Sequence, residues 1–342
     1  MRAPALALVT SLAFGVAACG GSDDASGGGA TTQAAAGEQA KAKKKAVFVT
    51  DFGFNGRHSY YYVALEKGYY AAEGIDLKIE RGGGSADAIK QVAAGRAQLG
   101  FADAATLVVS RGNDDVPVKM VAAIYQKPPQ AIFALGASGI KTPKDLEGRT
   151  LADAAGSAVP AMFPAYAKAA GIDAKKVKWT VADSAALPTL LSTKRVAGIG
   201  QFTVGEPLLT KAVEGKELTR LSYADAGLDY YGNGIIASED VIQKDPDLVK
   251  AFVRATLKGM ETAFANPDEA GQIFNKYHSE IDPDIAAAET KLVADLAEAP
   301  GGGSLGSIDP ARVQSTIDVV SQAFDLKGDV AADQVYASGL AE

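Results

Sequence analysis

Apolar positions in the first third of the chain recur with two alternating periods. "AVFVTDF" (46–52) is β-rich, whereas "SYYYVALEKGYYAAEG" (59–74) has helical spacing and stops at Gly74, a glycine suited to the position just past a helix. "IDLKIE" (75–80) alternates as a strand. "SADAIKQVAAGR" (85–96) reads as a helix with Ser85 at its N-cap, Asp87 in its first turn and a stop at Gly95. "AQLGFA", "AATLVVSRG" and "VPVKMVAAIYQ" continue the pattern as strand, helix and strand. Strands separated by helices imply parallel βαβ units and a sheet covered on both faces.

The pair Pro128-Pro129 and the turn chemistry at Thr142-Pro143 interrupt this pattern. A second alternation runs through "TLADA", a helix after Ser157, "KVKWTVA", "AALPTLLST", "VAGIGQF", "GEPLLTKAVE" and "LTRLSYA". From Pro246 onward the pattern is helical. The expected architecture is α/β with two lobes, each a mostly parallel sheet flanked by helices, and the terminal helices packed on the first lobe. Chain crossings are expected near Ile132–Leu135 and Gly232–Ile236, giving lobe 1 as 46–132 with 236–342 and lobe 2 as 133–235.

The amino terminus adds a compartment. Arg2 and the short apolar run "ALALVTSLAFGVAA" suit a signal peptide over residues 1–18 rather than a membrane span. "GVAAC" resembles a bacterial lipobox, which makes Cys19 the expected lipid-carrying residue; an ordinary secretory signal with an incidental Cys19 is the alternative. Residues 19–45, rich in Gly, Ser, Ala, Asp and Gln and ending in "KAKKK", read as a flexible tether. Cys19 is the one cysteine of the 342 residues, so the folded part offers no disulfide, thiolate metal site or cysteine nucleophile. A net charge of −7 without a basic stripe argues against nucleic acid. His58 and His278 are the two histidines, and neither has a second metal ligand or a serine–acid set at suitable spacing, so no metal, cofactor or catalytic residue is expected.

Several of these segments together resemble a family. "RHSYYYVALEKGYYAAEGIDLKI" followed by "GSADAIKQVAAGRAQLGFADAATLV" is similar to the opening lobe of solute-binding proteins of bacterial ABC importers, in the group handling thiamine pyrimidine precursors, riboflavin, and alkanesulfonates or taurine. The motifs are Ala64–Tyr69, Glu73–Asp76, Ala93–Ala97 and Ala102–Ala104, and "IKTPKDLEGRTLA" matches the entry turn of the second lobe. The resemblance implies the two-lobed "Venus flytrap" fold of a binding protein rather than an enzyme. It also implies a ligand between the lobes, and a permease and ATPase as partners. Because the predicted cleft loops offer only Arg57 and helix dipoles to balance a sulfonate, the expected ligand is a small heteroaromatic metabolite, a thiamine pyrimidine precursor or riboflavin-like. A monomer is expected, outside the cytoplasm, touching the membrane through its lipid alone. A taurine or alkanesulfonate binder, and an extracellular sensor, are the alternatives.

Ligands of open α/β sheets bind beyond the carboxyl ends of strands, where helices begin. That rule selects Asn55, His58, Tyr60 and Tyr61 after the first strand, Ser85 after the second, Asp103 after the third and Tyr125 after the fourth. In the second lobe it selects Ser157, Asp183, Phe202 and Glu206, and on the returning crossover Tyr231 and Asn233. Because one helix buries one stripe, the run Tyr60–Tyr62 is expected to leave Tyr60 or Tyr61 in the cleft, where a flat ligand can stack. "GGGSAD" and Gly156-Ser157 offer backbone N–H groups at helix starts, as anion seats or ordinary turns. Asp103, Asp183 and Glu206 read equally as ligand acceptors and as helix caps.

Overall fold

The computed structural model describes residues 43–299 and 301–341; the expected signal peptide, Cys19 and most of the tether lie outside the described residues. The first strand, β1 (Lys44–Val49), begins inside the expected tether. Its parallel ladder with β2 (Ile75–Glu80) pairs Lys44 with Ile75 and Lys45 with Asp76, so the backbone is satisfied ahead of the apolar residues.

Ten strands form two sheets of five among the described residues. The first contains β2, β1, β3 (Leu99–Asp103), β10 (Asn233–Ser238) and β4 (Val118–Ala123), in that order. The second contains β7 (Lys178–Val181), β6 (Thr150–Asp153), β8 (Gly198–Phe202), β5 (Gln130–Leu135) and β9 (Leu218–Ser222). The two orders are equivalent. In each sheet the fourth strand pairs antiparallel with both neighbours, and it is the strand that has just arrived from the other lobe. The crossings therefore lie between Ala123 and Gln130 and between Ser222 and Asn233, earlier than "AIFAL" and "GNGII" suggest. Ala131–Leu135 is continuous apolar sequence that fits either sheet, and its pairing with β8 and β9 decides the matter.

The helix α1 (Ser59–Glu66) overturns the one-stripe expectation. Tyr60 and Tyr61 are both 0% exposed, and Tyr62 is buried too. Tyr61 lies against the sheet, with its ring 4.4 Å from Phe48 and 6.0 Å from Phe101, and Tyr60 packs on Tyr61 at 4.3 Å. Tyr62 faces the opposite way, edge-on to Phe274, and its hydroxyl bonds His278 Nε2 at 2.7 Å. The covering elements are α9 (Pro246–Ala265), α10 (Pro267–Tyr277) and α11 (Pro283–Ala297), which enclose α1 from sides the sheet does not reach. Gly259 on α9 permits the closest approach: a Cβ there would sit 2.5 Å from the Tyr60 carbonyl oxygen.

The terminal helices do more than back the first lobe. α11 also contacts α7 (Glu206–Ala212) of the second lobe, and α12 (Pro310–Ala323) touches both α4 (Ala104–Asp114) and α5 (Ala158–Ala169). Pro160 lies in the first turn of α5, where its missing N–H costs nothing, while Pro164 is accommodated inside the helix.

Candidate functional site

The first wall of the site is built where β1 ends. The chain turns through Phe52–Asn55 into a short 3₁₀ turn, Gly56–His58, and places three donors on the buried carboxylate of Asp51. Arg57 Nη2 donates at 3.1 Å, His58 Nε2 at 2.8 Å and Asn233 Nδ2 at 2.9 Å. His58 Nδ1 accepts the Asn55 N–H at 3.3 Å, so the proton sits on Nε2; burial lowers its pKa and keeps the ring neutral. Burial alone would raise Asp51, but the Arg57 guanidinium and the His58 hydrogen bond outweigh it and hold the carboxyl at about 2. Behind this group Glu289 of α11 accepts the Arg57 backbone N–H at 2.9 Å, and burial pushes its carboxyl up to about 7.

The second lobe supplies the facing wall. Asp153 closes β6, accepting the Ala154 N–H at 2.7 Å and the hydroxyl of Ser157, the N-cap of α5, at 2.9 Å. Gly200 on β8 leaves the room: a Cβ there would overlap Asp153 Oδ2. Burial raises the Asp153 pKa to about 7. Phe202, at the end of β8, lies under Arg57 with the guanidinium carbon 5.0 Å from its ring centre, an attraction that spans the two lobes.

These walls flank a narrow interlobe cavity of about 20 Å³ lined by Asp51, Phe52, Arg57 and Ser85 on one side and Asp153, Ser157, Gln201 and Phe202 on the other. The lobes touch around it. Ala86 N–H reaches the Gly156 carbonyl at 3.4 Å, Gln130 Nε2 donates to Asp103, and Arg81 donates to Ser184 at 3.3 Å. Arg57 Nε and Nη1 and Asn233 Oδ1 are buried without a hydrogen-bond partner among the described residues.

Of the residues selected from sequence, Ser85, Ser157 and Phe202 line this cavity. His58 and Asn233 stand behind it as donors to Asp51. Asp103 caps α4, accepting the Thr106 N–H at 2.8 Å; burial raises it to about 6, and its bond to Gln130 lies at the crossing. Asn55 and Asp183 lie in outer parts of the interlobe gap, Asp183 accepting the Ala185 N–H at 2.8 Å. Tyr60 and Tyr61 do not reach the cleft, because α9 to α11 bury their helix, and Tyr125 is likewise sealed in the core, edge-on to Phe101. Glu206 is turned outward by a 2.6 Å pair with Arg220. Tyr231 faces α12, where its hydroxyl accepts the Asp309 N–H at 2.8 Å and Arg312 lies over its ring.

Asp153 and Glu289 were not selected from sequence. Asp153 obeys the same strand-end rule, standing just ahead of the Gly156-Ser157 turn. The signal for Glu289 was an acid within the buried stripe of α11, beside Ala286, Thr290 and Val293.

Asp153 gives a pH prediction. Its folded-state pKa of about 7 exceeds the ordinary 3.8, so the fold loses stability as pH rises from about 4 to about 7 and is unaffected by this group above that. Between pH 5 and pH 8 the native protein is expected to lose about 2–3 kcal/mol more than an Asp153→Asn variant. Urea melts of both proteins at the two pH values measure this, and parallel losses would refute it.

The comparisons with known proteins follow this geometry. A family model described as NMT1/THI5 like matches residues 55–270, which include Arg57, Asp153 and Phe202. The chain belongs to the NMT1/THI5-like family. Among its relatives, a riboflavin-binding protein RibY of Chloroflexus aurantiacus is 32% identical over 219 residues, 61% of this chain and 60% of that one. The chain thus spans less than two thirds of that protein's length. A formylaminopyrimidine-binding protein of Halalkalibacterium halodurans is 26% identical over 83% of this chain and 87% of its own. Among solved structures, the alkanesulfonate-binding protein SsuA of Xanthomonas axonopodis pv. citri, bound to MOPS, superposes with a TM-score of 0.68 at 13% identity, over 86% of this chain and 99% of that one. This likeness shows the fold: family membership here comes with the two-lobed periplasmic-binding-protein architecture. Among the described residues no helix is long and apolar enough to cross a membrane, and no cluster of metal ligands occurs.

Proposed function

We propose that this protein captures a small, planar nitrogen heterocycle between its lobes and presents it to an ABC importer, as a solute-binding component held outside the cytoplasm by lipid on Cys19. The observation that carries the reading is Asp153. A buried carboxyl whose pKa burial raises to about 7, on the same wall as the Phe202 ring and facing the Arg57 guanidinium, matches the edge and face of an amino-substituted ring. Such a carboxyl donates to a ring nitrogen while accepting from the adjacent amino group.

Charge favours this over a sulfonate. Among the described residues Arg57 is the one cation lining the cavity, and Asp51 already neutralises it at 3.1 Å; Asp153 adds a second acid. The names of the relatives, one riboflavin-binding and one formylaminopyrimidine-binding, support the same class. Binding rather than catalysis is further supported by cysteine usage. The single cysteine, Cys19, precedes the described residues, so these hold no counterpart of the cysteine-rich motif that the family resemblance associates with pyrimidine formation.

Micromolar capture needs about 8 kcal/mol, more than one ring contact supplies, so burial from both lobes must contribute. Thermal-shift screening of the protein from residue 43 onward against aminopyrimidines, flavins, taurine and alkanesulfonates tests the assignment. A flat amino-heterocycle is expected to raise the melting temperature, and Asp153→Ala to weaken its binding by roughly 10- to 100-fold, the range for a hydrogen bond to a charged group. Stabilisation by a sulfonate and by no heterocycle would reverse the assignment.

A further inference from the structure

The two crossings, 124–129 and 223–232, run side by side. Gly232 N–H donates to the Tyr125 carbonyl at 2.9 Å, and a Cβ at Gly232 would sit 2.5 Å from the Lys127 carbonyl oxygen. Helix α12 and its N-cap Asp309 lie against both, with Asp309, Arg312 and Thr316 on one face at helical spacing. Arg312 grips each crossing. Its Nη2 donates at 2.9 Å to the Gln126 carbonyl of the first and at 2.9 Å to Asp229 of the second, and its guanidinium carbon stands 4.6 Å from the Tyr231 ring centre. Tyr231 is held at two points: its hydroxyl accepts the Asp309 N–H at 2.8 Å, and its own N–H donates to Thr316 Oγ1 at 3.2 Å. The far end of α12 reaches the second lobe, where Lys168 of α5 donates to the Gln322 carbonyl at 3.1 Å. No residue of α12 lines the interlobe cavity.

We infer that α12 is a strap on the hinge, and that Arg312, by gripping both crossings at once, biases the hinge toward the arrangement in which the lobes meet. Parting the lobes requires the few residues that join them to absorb the change in backbone torsion. Those residues carry the acceptors of Arg312. One guanidinium reaches Gln126, Asp229 and Tyr231 together only over a narrow range of their relative placement, so the grip made with the lobes in contact is lost as the crossings rotate. A planar fork meets this demand and an ammonium does not. The bond to the Gln126 carbonyl dominates, because the Arg312 side chain is 18% exposed whereas that of Asp229 is 83% exposed and its pair is screened. A hinge biased this way raises the affinity for any ligand held between the lobes, since less binding energy goes into closing them. The inference concerns the hinge alone and stands or falls separately from the heterocycle assignment.

Amide hydrogen exchange of the unliganded full chain tests this. The Ala86 N–H lies in the first turn of α3 (Ser85–Ala93), where the helix supplies no acceptor, and it bonds the Gly156 carbonyl of the other lobe. Its protection therefore reports contact between the lobes. Arg312→Met is expected to speed exchange at Ala86 about tenfold, the effect of losing one charge-assisted hydrogen bond, while exchange at Phe101 in the core strand β3 stays as in the native protein. Tyr231→Phe keeps the ring and removes only the acceptor for the Asp309 N–H, so it should fold and give a smaller rise at Ala86; it decides the matter if Arg312→Met does not fold. Unchanged exchange at Ala86 in the variants that fold, or an equal acceleration at Ala86 and Phe101, overturns the strap.

Discussion

Replacing Arg57 with methionine is expected to cost about 3–5 kcal/mol of folding free energy, the usual penalty for stranding one member of a buried ion pair. Arg57 and Asp51 are each 1% exposed, and the same guanidinium holds down the carboxyl of Glu289. Without it, both acids remain buried with hydrogen bonds but no neutralising charge. For a protein of this size each kcal/mol moves the melting temperature by roughly 2–4 °C, so a fall of at least about 6 °C should appear in calorimetry. The pH dependence identifies the cause. In the native protein Asp51 has a depressed pKa, so its contribution is full above 3.8 and is lost as pH falls toward about 2. In Arg57→Met burial raises the Asp51 carboxyl, so that acid loss should shrink or reverse into a gain. The double variant Asp51→Asn/Arg57→Met should recover part of the stability, because it removes the stranded charge. If Arg57→Met melts like the native protein, the ion pair is not the anchor of the first wall. Ligand affinity should fall as well, since the attraction between Arg57 and Phe202 joins the lobes.

Tyr61→Ala is expected to destabilise the unliganded protein by about 3–5 kcal/mol, as for removal of a large aromatic ring from a core. Its ring contacts Phe48, Phe101 and Phe252 between sheet and helices. Tyr61→Phe separates ring from hydroxyl. The Tyr61 Oη is buried without a hydrogen-bond partner among the described residues, so its loss should be neutral or slightly stabilising. Denaturant unfolding gives both values. A ring in the cleft would behave in the opposite way: Tyr61→Ala would spare the melting temperature and weaken ligand binding.

The three tyrosines show why the site was only partly legible. Periodicity reports which faces of a helix are apolar, and α1 is apolar on more faces than one partner can cover. The surplus reads as a ligand platform when neighbouring helices are unknown. In the fold the surplus is covered by α9 to α11, contributed by residues about 200 positions later in the chain. Glu206 and Tyr231 failed for a related reason. Each sits on a loop of the right kind, but Arg220 and the Asp309 amide satisfy them away from the cavity. The strand-end rule succeeded with Ser85, Ser157 and Phe202, because β-strand direction fixes which loops face the other lobe.

The order of strands and helices, the two-lobe division and the family motifs were determined by the sequence alone, because local spacing and turn chemistry act over a few residues. Which acid titrates near neutrality, which rings are core and where the chain crosses were decided by the tertiary structure. Those outcomes depend on burial and on charges brought together from distant segments: Asp51 with Asn233, Arg57 with Glu289 and Phe202, and Asp153 behind Gly200. No local pattern encodes the dielectric a side chain meets once both lobes are in place.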